Sequence, residues 1–163
     1  MKGNKEVVEA LNQLLAGELM ASDQYLTHGE MYADMGLQKL AQHTLHESDH
    51  EREHAQHIVK RILFLEGKPD LATRHAMTTG SNVQEMLKND LAIEYAVVKR
   101  LKEAVLLCED KQDFVTRDIL VQQIEDTEMD HAYFIEKQIR LIDLVGLENY
   151  LQSQIGSEDG GQA

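Results

Sequence analysis

Only one cysteine and one proline occur in the 163 residues, and tryptophan is absent. A lone Cys108 excludes a disulfide framework within the chain and makes a reducing compartment the expectation. With proline confined to Pro69, long helices are uninterrupted on either side of it. Basic residues are scarce: 16 Lys and Arg stand against 29 Asp and Glu, a formal charge of −13. That balance argues against nucleic acid or an anionic membrane as partner and makes cations the natural counter-species. No apolar run reaches the roughly 18 residues that crossing a bilayer requires. The start, MKGNKEVVEALNQ, has no apolar signal segment. The expectation is a cytoplasmic protein.

What is present is helical period. Apolar residues recur at three- and four-residue steps through residues 5–34, 37–65, 82–109 and 113–144, and no stretch alternates with the period of a strand. Breaks fall at Gly36, at Gly67-Lys68-Pro69, at Lys111-Gln112 and at Gly146, after which LENYLQSQ forms a short last segment. Each main helix would be roughly 40 Å long at about 1.5 Å per residue. The pattern predicts an all-α four-helix bundle occupying residues 1–155, with a fifth short helix at its end. The remaining GSEDGGQA, residues 156–163, reads as a flexible tail. Two connections are short, whereas that from Glu66 to Ser81 is long enough to cross the length of a bundle, which predicts one long crossover between the second and third helices.

The densest chemistry lies in HESDHEREHAQH, residues 46–57. It contains two overlapping H-E-x-x-H matches, the spacing with which a helix presents two imidazoles to zinc in metalloproteases. No third zinc ligand pattern follows, and no strand is available to hold an extended peptide, so the protease reading is set aside. Residues three, four, seven and eleven apart share a helix face. By that measure Glu18, Glu51, Glu94 and Glu128 each lie among apolar residues, one per helix. Unpaired carboxylates in an apolar interior cost several kcal/mol each, and four near one another cannot stay ionised without cations. Two of them carry a histidine one turn on, Glu51-Arg-Glu-His54 and Glu128-Met-Asp-His131. Four glutamates with two Glu-x-x-His pairs is the known donor set of di-iron and di-manganese carboxylate bundles. An oxygen-rich set with one imidazole per metal suits iron or manganese better than zinc. On this reading only Glu51 and His54 of residues 46–57 face the metals. His46 and His50 are assigned to a solvated face, with a secondary cation site as the alternative. Tyr25, one helical repeat after Glu18, is placed either to donate an electron or hydrogen bond at the metals or to serve as a core aromatic.

Beyond these residues, MKGNKEVVEALNQLLAGELMASDQY, RILFLEGKPD, DFVTRDIL and GLENYLQSQI resemble bacterioferritin over nearly the whole chain. The resemblance implies a ferritin-like bundle and a ferroxidase centre. There Glu51 and Glu128 bridge two irons, with Glu18 and His54 completing one site and Glu94 and His131 the other. It implies oxidation of Fe²⁺ by O₂ or H₂O₂, storage of Fe³⁺ as mineral in a twenty-four-subunit shell, and a ferredoxin-type reductant for release. One position departs. Where bacterioferritins carry the methionine that ligates haem between subunits, this chain has Arg52, whose guanidinium cannot ligate iron. Haem b is therefore not expected from this chain alone, which leaves a haem-free shell or a shell mixed with a haem-binding subunit. A non-storing di-iron or di-manganese redox enzyme and a structural shell subunit remain the alternatives.

Overall fold

Asn4, Asn82 and Asp113 each turn a side-chain oxygen back onto a backbone N–H of the helix that follows, and these caps fix where three of the four rods begin. The computed structural model describes residues 2–156. Its helices are α1 (Lys5–Asp34), α2 (Gln38–Phe64), α3 (Val83–Asp110), α4 (Phe114–Asp126), a π-helical turn (Thr127–Ala132), α5 (Tyr133–Val145) and α6 (Leu147–Gln154). The fold is a four-helix bundle with a short last helix. α4, the π turn and α5 together make the fourth rod, since backbone angles stay helical through Thr127 and Tyr133. Gly146, at φ 82°, breaks that rod before α6, in a backbone region that glycine enters without penalty. Residues 157–163, most of the expected tail, lie outside the described residues. Among the described residues no helix is long and apolar enough to cross a membrane.

The connection between α2 and α3 runs the length of the bundle along α1, and its hydrogen bonds record the path. Gly3 N–H donates to the Leu65 carbonyl, and Asn12 bonds both Lys68 and Asp70. His75 N–H then reaches the Ala16 carbonyl, Thr78 N–H the Gln24 side chain, and Gly80 N–H the His28 ring. His28 and Gln24 are in turn held by Asp90 of α3 at 2.8 and 2.9 Å. Because the connection delivers the chain to the far end of α1, α3 runs antiparallel to α1, as Gln24–Asp90 at one level and Glu6–Lys111 at another require.

Apolar packing is split in two. At one end Leu11, Leu15, Ile58, Ile62, Leu101 and Leu120 form a cluster; at the other Tyr32, Leu40, Met86, Leu87, Ile135 and Tyr150 form a second. Each such side chain stabilises the fold by roughly 1.5–3 kcal/mol on full burial. Between the two clusters lies a buried layer of Glu18, Tyr25, Glu47, Glu51, Glu94 and His131. The apolar ends offset what that polar layer costs and hold its walls in place.

Candidate metal centre

Each of the four rods sends side chains into the polar layer, and they sort into three triads. Glu18 of α1 with Glu51 and His54 of α2 is one; Glu51 with Glu94 of α3 and His131 of the π turn is the second; and Glu47 and the half-buried His50 of α2 with the same His131 make the third. Nδ1 of His54 lies 3.7 Å from Oε2 of Glu18 and 3.5 Å from Oε2 of Glu51. Nδ1 of His131 lies 2.8 Å from Oε1 of Glu51 and 3.8 Å from Oε2 of Glu94. Glu51 thus offers one oxygen to each of the first two triads. Donors about 3–4 Å apart are what a cation with bonds near 2.1 Å gathers around itself. Oε2 of Glu18, Glu51 and Glu94 and Nδ1 of His54 and His131 are buried with no hydrogen-bond partner among the described residues. Buried polar atoms are normally paired. Five orphaned donor atoms converging on one volume fit a pair of metal ions.

The protonation pattern shows how the layer survives without metal. Burial, reinforced by the charge of Glu51, pushes the Glu18 carboxyl up to about 8, and the same two causes raise Glu94. Burial would pull the His54 ring down, yet its contacts with Glu18 and Glu51 outweigh it and raise the ring to about 10. Glu47, Glu51 and Glu94 likewise overcome burial at His131 and raise it to about 12. Glu51 stays ionised well below the usual carboxylate range because both imidazoles overcome its desolvation. Imidazolium–carboxylate pairs therefore stand in for metal charge, while burial and the charge of Glu51 bias Glu18 and Glu94 toward their neutral forms. Metal ligation requires all of these groups deprotonated. Adding Co²⁺ to the chelator-treated protein at pH 7 is expected to release protons, with affinity falling as pH drops from 8 to 6; calorimetry in buffers of different ionisation enthalpy measures it, and a pH-independent affinity would contradict it.

Tyr25 donates a hydrogen bond to Oε1 of Glu94 and is 3 % exposed. Burial and the Glu94 charge raise its phenol well above the ordinary range. His46 is exposed and His50 half-buried, their rings 4.2 Å apart, on the outer side of the layer. A groove of about 710 Å³ between α2 and the fourth rod, lined by His50, His54, His57, Gln123, Asp126 and His131, opens from the surface onto the imidazoles of His54 and His131.

Two expectations need correction. Glu128 does not face the core: its side chain is 44 % exposed and pairs with Lys102 at 2.5 Å. The cause is the π turn over Thr127–Ala132. With hydrogen bonds closing at five residues rather than four, each residue turns the helix by less, so residues three apart no longer share a face. Thr127 is buried in its stead, its hydroxyl returned to the Gln123 carbonyl at 2.8 Å. Conversely, Glu51 and His54 are not the only inward members of residues 46–57. Glu47 is 3 % exposed, with Oε2 2.9 Å from Nε2 of His131. Its position one turn before Glu51 and two before His54 was the signal for it.

With this geometry in place, likeness to known proteins decides the family. A ferritin-like domain profile matches residues 8–145. The chain belongs to the ferritin-like family. It is 50% identical over 155 residues to a bacterial ferritin of Synechocystis sp., covering 95% of this chain and 99% of that one. It is 47% identical to a bacterial ferritin of Neisseria meningitidis serogroup B over 95% of this chain and all of the relative. A bacterioferritin of Mycobacterium avium is 40% identical over 92% of this chain and 94% of its own. In a ferritin-like bundle, paired Glu and His triads of this kind can hold two metal ions.

Proposed function

We propose that this protein is an iron-storage ferroxidase. The observation that carries the reading is the pair of triads sharing Glu51, with their donor atoms buried and unpartnered. Fe²⁺ is the substrate. It reaches the triads through the groove beside His54 and His131. Glu18, Glu51 and His54 hold one ion, and Glu51, Glu94 and His131 hold the other. Each ion gives up one electron, and together they reduce one H₂O₂, with two protons, to two waters, or one O₂, with two protons, to H₂O₂. The carboxylates favour the step because they neutralise the extra positive charge of Fe³⁺ as it develops. Tyr25 fixes the orientation of Glu94 through its hydroxyl and is near enough to supply an electron. Fe³⁺ then passes to a mineral, which needs an enclosed volume that one bundle lacks, supporting assembly into a hollow shell of the twenty-four-subunit kind. The relatives' names, bacterial ferritin and bacterioferritin, support the same reading. Loading the metal-free protein with Fe²⁺ in air and counting iron retained per chain in the sized particle tests it. Many ions per chain support storage, whereas about two per chain would leave a non-storing dimetal redox enzyme.

The outward Glu128 favours one second reading, a subunit with a weak centre that serves a mixed shell beside an active partner. Undiminished Fe²⁺ oxidation in the shell after replacing Glu94 and His131 with alanine would support it.

Haem follows from position 52. Arg52 is exposed on α2, and its guanidinium has no lone pair for iron. Purified homomeric protein is expected to show no stoichiometric Soret band, and Arg52→Met to gain one on addition of haemin. A bis-thioether haem spectrum from the unaltered chain would overturn this.

A further inference from the structure

Two of the three triads are accounted for by the dimetal reading; the third is not. Glu47, His50 and His131 bring one carboxylate oxygen and two imidazole nitrogens within 4.8 Å of one another. We propose that this triad is a third metal position, which takes a nitrogen-preferring divalent ion such as Zn²⁺ and, by engaging His131, keeps the second dimetal position from filling. The exclusion rests on the dimetal reading above; the position itself rests on its own geometry.

Three features support it. The first is how the triad is built. Glu47 and His50 are three residues apart on α2 and so share a face, with Nδ1 of His50 3.8 Å from Oε2 of Glu47. From the fourth rod, His131 brings Nε2 to 2.9 Å from the same oxygen. The two rings stand 5.9 Å apart and 17° from parallel. The second feature is an unanswered buried group. Glu47 is 3 % exposed, and its Oε2 completes no hydrogen bond among the described residues. His43 approaches only the other oxygen, at 3.7 Å. Buried polar atoms are normally paired, and an ion among the three donors would answer this one. The third feature is access and donor type. His50 and His131 both line the groove, so an ion reaches them from the surface without crossing the dimetal layer. Two imidazoles with one carboxylate reverse the ratio of the neighbouring triads, and three protein donors with an open fourth position suit zinc.

Exclusion follows from the ring. A neutral imidazole has one N–H and one lone pair. An ion held on Nε2 leaves the proton on Nδ1, the nitrogen that faces Glu51 at 2.8 Å and serves the triad with Glu94. One neutral ring therefore serves one ion at a time. The first H-E-x-x-H match thus meets metal through its glutamate and second histidine; His46, though its ring lies 4.2 Å from that of His50, is not a member of the triad.

Zn²⁺ titration of the full-length assembled protein tests this, counting ions retained after desalting and reading imidazoles per zinc from X-ray absorption at the zinc edge. Glu51→Ala removes the carboxylate shared by the dimetal pair and so isolates the third triad. It is expected to keep one Zn²⁺ per chain with two imidazoles. Adding His50→Ala, or His50→Gln to preserve volume, should weaken that ion by more than the roughly 10–100-fold typical of losing an outer partner. Adding His46→Ala or His57→Ala should change neither count nor affinity. The unaltered chain, saturated with Zn²⁺, should hold two ions. The proposal fails if Glu51→Ala keeps no zinc, if its zinc has one imidazole, if the His50 variants bind as tightly, or if the unaltered chain holds three ions at once. Failure of the dimetal reading looks different: the unaltered chain then holds a single Zn²⁺, the same one that Glu51→Ala keeps.

Discussion

Replacing Glu51 with alanine is expected to abolish uptake of both metal ions, where alanine at Glu18 or Glu94 is expected to spare one. The asymmetry comes from sharing. Glu51 gives Oε2 to the triad with His54 and Oε1 to the triad with His131, whereas Glu18 and Glu94 each serve one triad. With Glu128 outside, no second carboxylate bridges the two positions among the described residues. A bridging carboxylate also keeps two cations close by screening their repulsion, which for two divalent ions about 4 Å apart is roughly 17 kcal/mol at an effective dielectric of 20. Rates of Fe³⁺ formation by stopped flow should fall by more than about 100-fold in Glu51→Ala, beyond the 10–100-fold typical of losing an outer partner. Glu51→Gln controls for shape, because the amide fills the same volume without the charge. Two ions per chain retained by either variant would mean that the bridge lies elsewhere, and the shared-carboxylate geometry would have to be abandoned.

How much of this was legible in the sequence depends on where each residue sits along its rod. Glu18, Glu51, His54 and Glu94 lie on regular α-helices, where three-and-four spacing maps directly onto a face, and the structure brings all four together. The long crossover was legible for the same reason, since the lengths of regular rods fix how far the connection between them must travel. The fourth rod broke the rule. Thr127 and Glu128 stand four and three residues before His131, so both are candidates for its face in an α-helix, and only the local winding chooses between them. No glycine or proline marks the π turn, which spans TEMDHA. Glu47 was missed for another reason. It satisfies the face spacing with Glu51 and His54, but its neighbours His43, His46 and His50 gave the segment a polar appearance that concealed one buried acid. Charge alone does not separate a solvated acid from one gripped by an imidazole on a distant element.

A centre assembled for metal should destabilise the protein that lacks metal, and Glu18→Leu should expose the conflict. Glu18 is 1 % exposed, its Oε2 has no hydrogen-bond partner among the described residues, and the buried Leu15 and Leu14 lie three and four residues before it on α1. Replacing a buried ionisable group with an apolar one of similar volume often stabilises by about 1–4 kcal/mol, and ~1 kcal/mol moves the melting midpoint of a domain this size by roughly 2–4 °C. Metal-free Glu18→Leu should therefore melt above the metal-free parent. The pH dependence has a definite sign. A carboxyl raised from 4.5 to about 8 leaves the folded state holding a proton that the unfolded chain has lost, so the parent loses stability as pH rises across that window. His54, raised from 6.5 to about 10 in part by Glu18, loses its contribution over the higher window, in the same direction. The advantage of Glu18→Leu should accordingly widen from pH 5 to 8. Metal reverses the order. At a hundredfold excess over Kd each occupied site adds about 2.7 kcal/mol, so the parent gains from two ions while the variant forfeits the one that Glu18 holds. Melts with chelator and with anaerobic Co²⁺ decide it. A variant that melts lower than the parent without metal, or gains as much from Co²⁺, would show that Glu18 is held by something other than the metal it is poised to bind.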